Sequence, residues 1–104
     1  MTNTSKRDIT INEPRRTWSS LKGYVETTYA HITSILGMPM KGCDKTTAEW
    51  FIEDNKSGVF ATIYDYKVGS TPMGVYEWHI GGQNHQAVAL VLDVLNLNPA
   101  EYVS

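Results

Sequence analysis

The sequence predicts an α+β fold: a three-stranded antiparallel meander with two helices packed on one face, in the order helix-strand-strand-strand-helix. Three observations lead there. Within Thr47–Gly82, three short runs rich in aromatic and β-branched residues are each bounded by turn formers. Apolar residues recur at intervals of three and four on either side of those runs. The chain has 104 residues, of which 41% are hydrophobic, enough for one core and too few for two. Residues 1–104 therefore read as a single domain, with a folded core over 20–97 and a flexible basic arm over 1–17.

In chain order, Ile9-Thr10-Ile11 is a candidate for a short edge strand, and Pro14 biases Glu13 away from the helical region. Leu21, Val25, Thr28, Ile32 and Ile35 mark one face of a helix over 20–36, with Ser19 or Ser20 as N-cap, Gly37 as C-cap and Pro39 barring its continuation. Gly23, Thr27, Thr28, Ile32 and Thr33 oppose that assignment on propensity. In the first strand Ala48, Trp50 and Ile52 alternate with Glu49, Phe51 and Glu53, which leaves Phe51 unexplained on the polar side. The Asp54–Gly58 loop closes a hairpin onto Val59–Tyr66, whose two apolar faces suit a central strand. The loop Lys67–Gly74 leads to the third strand, Val75–Ile80. The last helix spans Asn84–Leu97, with Asn84 as N-cap. Its two apolar stripes exceed what one sheet face covers, so the surplus must meet the first helix or a partner chain. Asn98-Pro99 ends it, and Ala100–Ser104 reads as a loose tail.

The net charge of −2 conceals an asymmetry: residues 1–22 carry a balance of +3 and the remainder −5. Such an acidic domain is poorly suited to nonspecific duplex binding, which needs several phosphates neutralised. No apolar run approaches the roughly 20 residues of a membrane span, and the N-terminus lacks the apolar stretch of a signal peptide. The lone Cys43 forms no internal disulfide, which favours a reducing, cytoplasmic setting; Lys41 and Lys45 beside it make it a candidate for a reactive thiol.

Chemistry concentrates where the third strand meets the last helix. Gly81 and Gly82 at a helix start would expose backbone N–H groups to an anion, with Lys67, Tyr64 or Tyr66 and the basic arm adding contacts. The blander reading is that two glycines permit a sharp strand-to-helix reversal. His79 and His85 lie close enough in sequence to flank a ligand, but two ligands do not make a zinc site, so no metal and no cofactor is assigned. No Gly-x-Ser-x-Gly elbow occurs and no catalytic residue is assigned. Trp50, Trp78, Tyr64, Tyr66 and Tyr76 are candidates for a base-stacking platform, though alternation puts Trp50 in the core; rings left over on the other sheet face would mark a protein–protein surface.

Gly-Met-Pro after the first helix, Lys-Thr-Thr-Ala-Glu-Trp, Ala-Thr-Ile-Tyr-Asp-Tyr-Lys and Glu-Trp-His-Ile-Gly-Gly resemble small accessory proteins encoded by bacteriophages, over about residues 20–95. The resemblance implies a compact, virus-borne protein in an infected cell that binds a host factor or sequesters a small signalling molecule. It carries over no catalytic residue. The leading expectation is thus a non-enzymatic binding protein that engages a host protein and self-associates through the Asn84–Leu97 helix. The alternative is a module holding an anionic small molecule or nucleotide with Tyr66, Lys67, His79, Gly81, Gly82 and His85. A hydrolase or metal enzyme using His79 and His85 is the third.

Overall fold

Strand pairing, not helix formation, claims the segment that begins at Ser20. The computed structural model describes residues 8–13, 19–42, 45–96 and 102–103. Its elements are β1 (Ile9–Ile11), β2 (Ser20–Thr27), α1 (Tyr29–Leu36), β3 (Met40–Lys41), β4 (Ala48–Asp54), β5 (Phe60–Tyr64), β6 (Tyr76–Gly82), α2 (Gln86–Val94) and β7 (Tyr102–Val103). The expected helix over 20–36 is half strand. Gly23, Val25 and Thr27 are buried and alternate with more exposed Lys22, Tyr24 and Glu26, a period of two that the three-and-four spacing of Leu21, Val25 and Thr28 obscures. Gly23 and the β-branched residues thus express their ordinary preference. α1 starts only after Thr28, whose hydroxyl accepts from the His31 N–H at 3.1 Å, and it stops at Gly37, where φ is 83°.

The three-stranded meander is corrected in the same way. β4, β5 and β6 do form one, but they are the centre of a seven-stranded antiparallel sheet of order β1-β4-β5-β6-β2-β7, with β3 also on β4. The helix-first order fails because β1 and β2 precede α1, and β7 follows α2. β2 pairs with β6 over most of its length, so the chain leaves β2 on one side of the β5–β6 pair and returns on the other at β4. α1 makes that crossing. Of the expected flexible arm, residues 8–13 are described and carry β1; the rest of the arm and Cys43 lie outside the described residues, as does Leu97 of the last helix. Within the expected loose tail, β7 pairs with β2.

Both helices lie on one sheet face. The core joins Val25, Trp50, Ile52, Ile63, Trp78 and Ile80 from the strands to Ile32 and Leu36 of α1 and to Ala87, Val88, Leu90 and Val91 of α2. Leu92 and Val94 pack against the same core. The surplus apolar surface of the last helix, which suggested a partner chain, is therefore largely used inside the fold. Trp50 and Trp78 are both 0% exposed and meet edge to face at 5.5 Å. Trp50 Nε1 donates to the Gly37 carbonyl at 2.9 Å, and Trp78 Nε1 to the Thr27 carbonyl at 3.2 Å. His31 Nε2 contacts the Leu95 carbonyl at 2.7 Å, linking α1 to the end of α2. No helix among the described residues is long and apolar enough to cross a membrane.

The position of the α1 start is open to test. Thr28→Ala removes the N-cap acceptor and is expected to cost about 0.5–2 kcal/mol in urea unfolding, whereas Ser20→Ala, at a strand start, is expected to stay within about 0.5 kcal/mol. The reverse ranking would restore the longer helix.

Candidate functional site

Alternation along the strands sends a second set of side chains to the face opposite the helices. Register lines them up across the sheet: Glu49 of β4 stands beside Tyr64 of β5, Tyr64 beside His79 of β6, and His79 beside Tyr24 of β2. The neighbouring row is Phe51, Thr62, Gly81 and Leu21. Phe51, unexplained by the sequence pattern, stacks on Phe60 at 5.4 Å at one end of this face. The small residues Thr62 and Gly81 leave a depression between larger neighbours. A Cβ on Gly81 would stand 2.5 Å from Thr62 Oγ1, so glycine is what keeps that floor low.

Above this floor lies an open cleft of about 350 Å³, lined by Ser19, Ser20, Lys45, Thr46, Glu49, Thr62, Tyr64, Tyr66 and Gly81. Thr46 Oγ1 donates to Glu49 Oε2 at 2.6 Å, which fixes the carboxylate. Lys45 and Tyr66 are brought to the rim by a clamp between two connections. The fully buried Asp65 carboxylate accepts from the backbone N–H groups of Thr47, at 2.7 Å, and Ala48, at 3.2 Å, and from the Thr47 hydroxyl. Lys67 N–H donates to the Lys45 carbonyl at 2.7 Å, with Lys67 held at φ 54°. Tyr66 N–H donates to Tyr76 Oη at 3.2 Å. A buried carboxylate with this many donors is satisfied and serves as an anchor.

His79 sits beside the cleft, inside a cage of rings. The centroids of Tyr24, Tyr64 and Tyr66 are 4.9, 5.2 and 5.6 Å from its own. Its Nδ1 is buried and makes no hydrogen bond among the described residues. Burial lowers its pKa below the ordinary histidine value, partly opposed by Asp65 and Glu77. Burial raises the Tyr64 pKa, reinforced by Tyr24, Tyr66 and Glu49. Burial thus favours the neutral forms of His79 and Tyr64 on a face that also carries Lys45 and Glu49.

The residues singled out in the sequence are divided among three places. Tyr66 and Gly81 line the cleft, and His79 backs its tyrosine wall. Lys67 sits beside it, with Nζ 5.5 Å from the Tyr66 ring centroid. Gly82 faces the other way: a Cβ there would stand 2.4 Å from Ala87 Cβ, so this glycine admits α2 against β6. His85 is exposed at the N-cap of α2 and its side chain makes no capping bond; Asn84 Oδ1 instead accepts from Gln86 N–H at 2.9 Å. Gly81 and Gly82 both belong to β6, four and three residues before the helix cap His85, so they are not a helix-start anion cradle. Among the described residues no group of three histidine, cysteine or acidic side chains is placed to hold a metal. Sequence reasoning missed Glu49, Thr62 and Tyr24 as neighbours of this site. Alternation in the Val59–Tyr66 run marks Thr62 and Tyr64 as sharing a face, but reading β2 as helix hid Tyr24.

Because the folded pKa of His79 lies below the ordinary value of 6.5, the folded state binds its proton less readily than the unfolded state does. Its contribution is present above about pH 6.5 and is lost as pH falls through the folded value. Urea unfolding between about pH 7.5 and pH 5 is expected to show this loss in the wild type and a shallower one in His79→Phe, which keeps a ring in the cage. Equal slopes would contradict it. Comparison of the chain with protein-family models, with curated proteins and with solved structures finds no match in any of the three.

Proposed function

We propose that the protein is a non-enzymatic binding module that holds a small polar ligand in the cleft on the sheet face opposite the helices. The observation that carries this reading is the cleft itself: a glycine floor, two tyrosines on one wall, and a lysine and a carboxylate within one lining of about 350 Å³. Small-molecule sites are concave, with apolar or aromatic walls and a few fixed polar groups, and commonly span about 300–1,000 Å³. The polar groups here are held before any ligand arrives, since Glu49 is fixed by Thr46 and the Lys45 segment by Lys67. Such preorganisation lowers the ordering cost of binding.

A binding role is favoured over catalysis by how the titratable groups are used. Rings surround His79, whose Nδ1 has no hydrogen-bond partner among the described residues, and Asp65 is committed to two backbone N–H groups and to the hydroxyl of Thr47, a residue outside the cleft lining. A general base must reach the proton it removes. Neither group is coupled to a nucleophile that would act at the cleft.

Ligand binding to the native state raises stability, by about 2.7 kcal/mol at one hundred times Kd. Thermal unfolding with millimolar sugar phosphates, nucleotides and dicarboxylates is expected to reveal at least one stabilising compound. Tyr66→Ala and Lys45→Ala, both at exposed positions, are expected to remove that shift, and His85→Ala to preserve it. A shift lost in His85→Ala and kept in Tyr66→Ala would move the site to the start of α2 and overturn the reading.

A further inference from the structure

We propose that the ligand is a nucleoside monophosphate; this rests on the cleft being the binding site. Three chemistries meet in its lining, and a mononucleotide is the class of molecule that carries the complement of all three. Tyr66 is 39% exposed and stands with Tyr64 along one wall. An exposed tyrosine ring offers a stacking face that accepts any base. Lys67 Nζ lies 5.5 Å from the Tyr66 ring centroid, and the N–H of Tyr66 is tied to Tyr76, so the ring rests on an anchored backbone.

The second chemistry is positive charge. Lys45 is exposed and is the lysine among the described lining residues, while Lys22 Nζ donates to Ser20 Oγ at 2.9 Å and Lys67 lies beside Tyr66 at the edge. These ammonium groups suit a phosphate, and a di- or triphosphate would bring further negative charge beside Glu49. The third chemistry is that carboxylate. Glu49 Oε2 is held by Thr46 Oγ1 at 2.6 Å, and a fixed acidic side chain is a suitable acceptor for ribose hydroxyls. The hydroxyls of Ser19, Ser20 and Thr62 lie in the same lining and donate or accept as the ligand requires.

Size and charge narrow the class further. A cleft of about 350 Å³ is at the small end of ligand sites, matching one nucleotide rather than two. A single-stranded nucleic acid would ask for several neutralised phosphates, and the chain carries a net charge of −2 with Glu49 in the lining. A sugar phosphate would satisfy Lys45 and Glu49 but leave the tyrosine wall unused.

Isothermal titration calorimetry on the full chain separates these contributions. The probes are adenosine and uridine 5′-monophosphates, 2′-deoxyadenosine 5′-monophosphate, adenosine, ribose 5-phosphate and inorganic phosphate. Both ribonucleotides are expected to bind at least about fivefold more tightly than ribose 5-phosphate, the lower bound for one stacked base. Tyr66→Ala is expected to erase that difference, Lys45→Ala to erase the difference between nucleotide and adenosine, and Glu49→Gln to erase the preference for ribose over deoxyribose. Ribose 5-phosphate or inorganic phosphate binding as tightly as the nucleotides would overturn the nucleotide assignment. So would a failure of every nucleotide while another polar compound binds in a Tyr66-dependent way, and the cleft would then stand as the site. Nucleotide binding unchanged in all three variants would overturn both the assignment and the cleft.

Discussion

Two indole N–H groups hold the helix layer to the sheet. Trp50 and Trp78 are wholly buried against each other, and burying an indole donor without an acceptor costs about 1–3 kcal/mol. Their acceptors are the Thr27 carbonyl, just before α1, and the Gly37 carbonyl, just after it. α1 has eight residues, too few for a helix to be stable alone in water. Its place is set by these two bonds at its ends and by Ile32 and Leu36 packing beneath it. The donors come from β4 and β6, the strands on either side of β5, so the helix that crosses from β2 to β4 is fastened at both ends to the middle of the sheet.

Fixing the two tryptophans inward fixes their neighbours outward. Successive strand residues face opposite ways, and a one-residue slip would exchange the two faces. With Trp50 and Trp78 in the core, Glu49 and His79 must lie on the other face. Pairing to β5 and β2 then sets Tyr64 and Tyr24 beside His79. The same parity separates the two adjacent glycines: Gly82 makes room for α2 and Gly81 makes room for the cleft. The candidate site thus follows from the register that packs the core, completed by the Asp65 anchor, which seats the loop bearing Tyr66.

How much of this was legible in the sequence depended on whether a signal was local. The β4-β5-β6 meander and the inward Trp50 follow from alternation and turn chemistry within a short window. β2 was misread because Leu21, Val25 and Thr28 satisfy a helical spacing that Ile32 and Ile35 of the true helix prolong, so two elements looked like one. β1 is the edge strand that Ile9-Thr10-Ile11 suggested, whereas β3 and β7 are two residues long and exist through pairing with distant partners, for which no short window carries a signal. The candidate site was legible only as separate pieces, Tyr66, His79 and Gly81. Their assembly with Lys45, Glu49 and Thr62 was not, because cross-strand register is a tertiary property. Placing Gly81 and Gly82 at a helix start failed for a related reason: the pairing of Ser20 with Gly82 extends β6 through both glycines.

On the proposed function, the face opposite the helices, and not the strand-helix junction, receives the ligand. An amide-resolved NMR titration of the full chain with adenosine 5′-monophosphate tests it most directly. The largest shifts are expected on Ser20, Lys45, Glu49, Thr62, Tyr64, Tyr66 and Gly81, with His79 moving through its contact with the tyrosines. Shifts concentrated on Gln83, Asn84, His85 and Gln86 instead would contradict it.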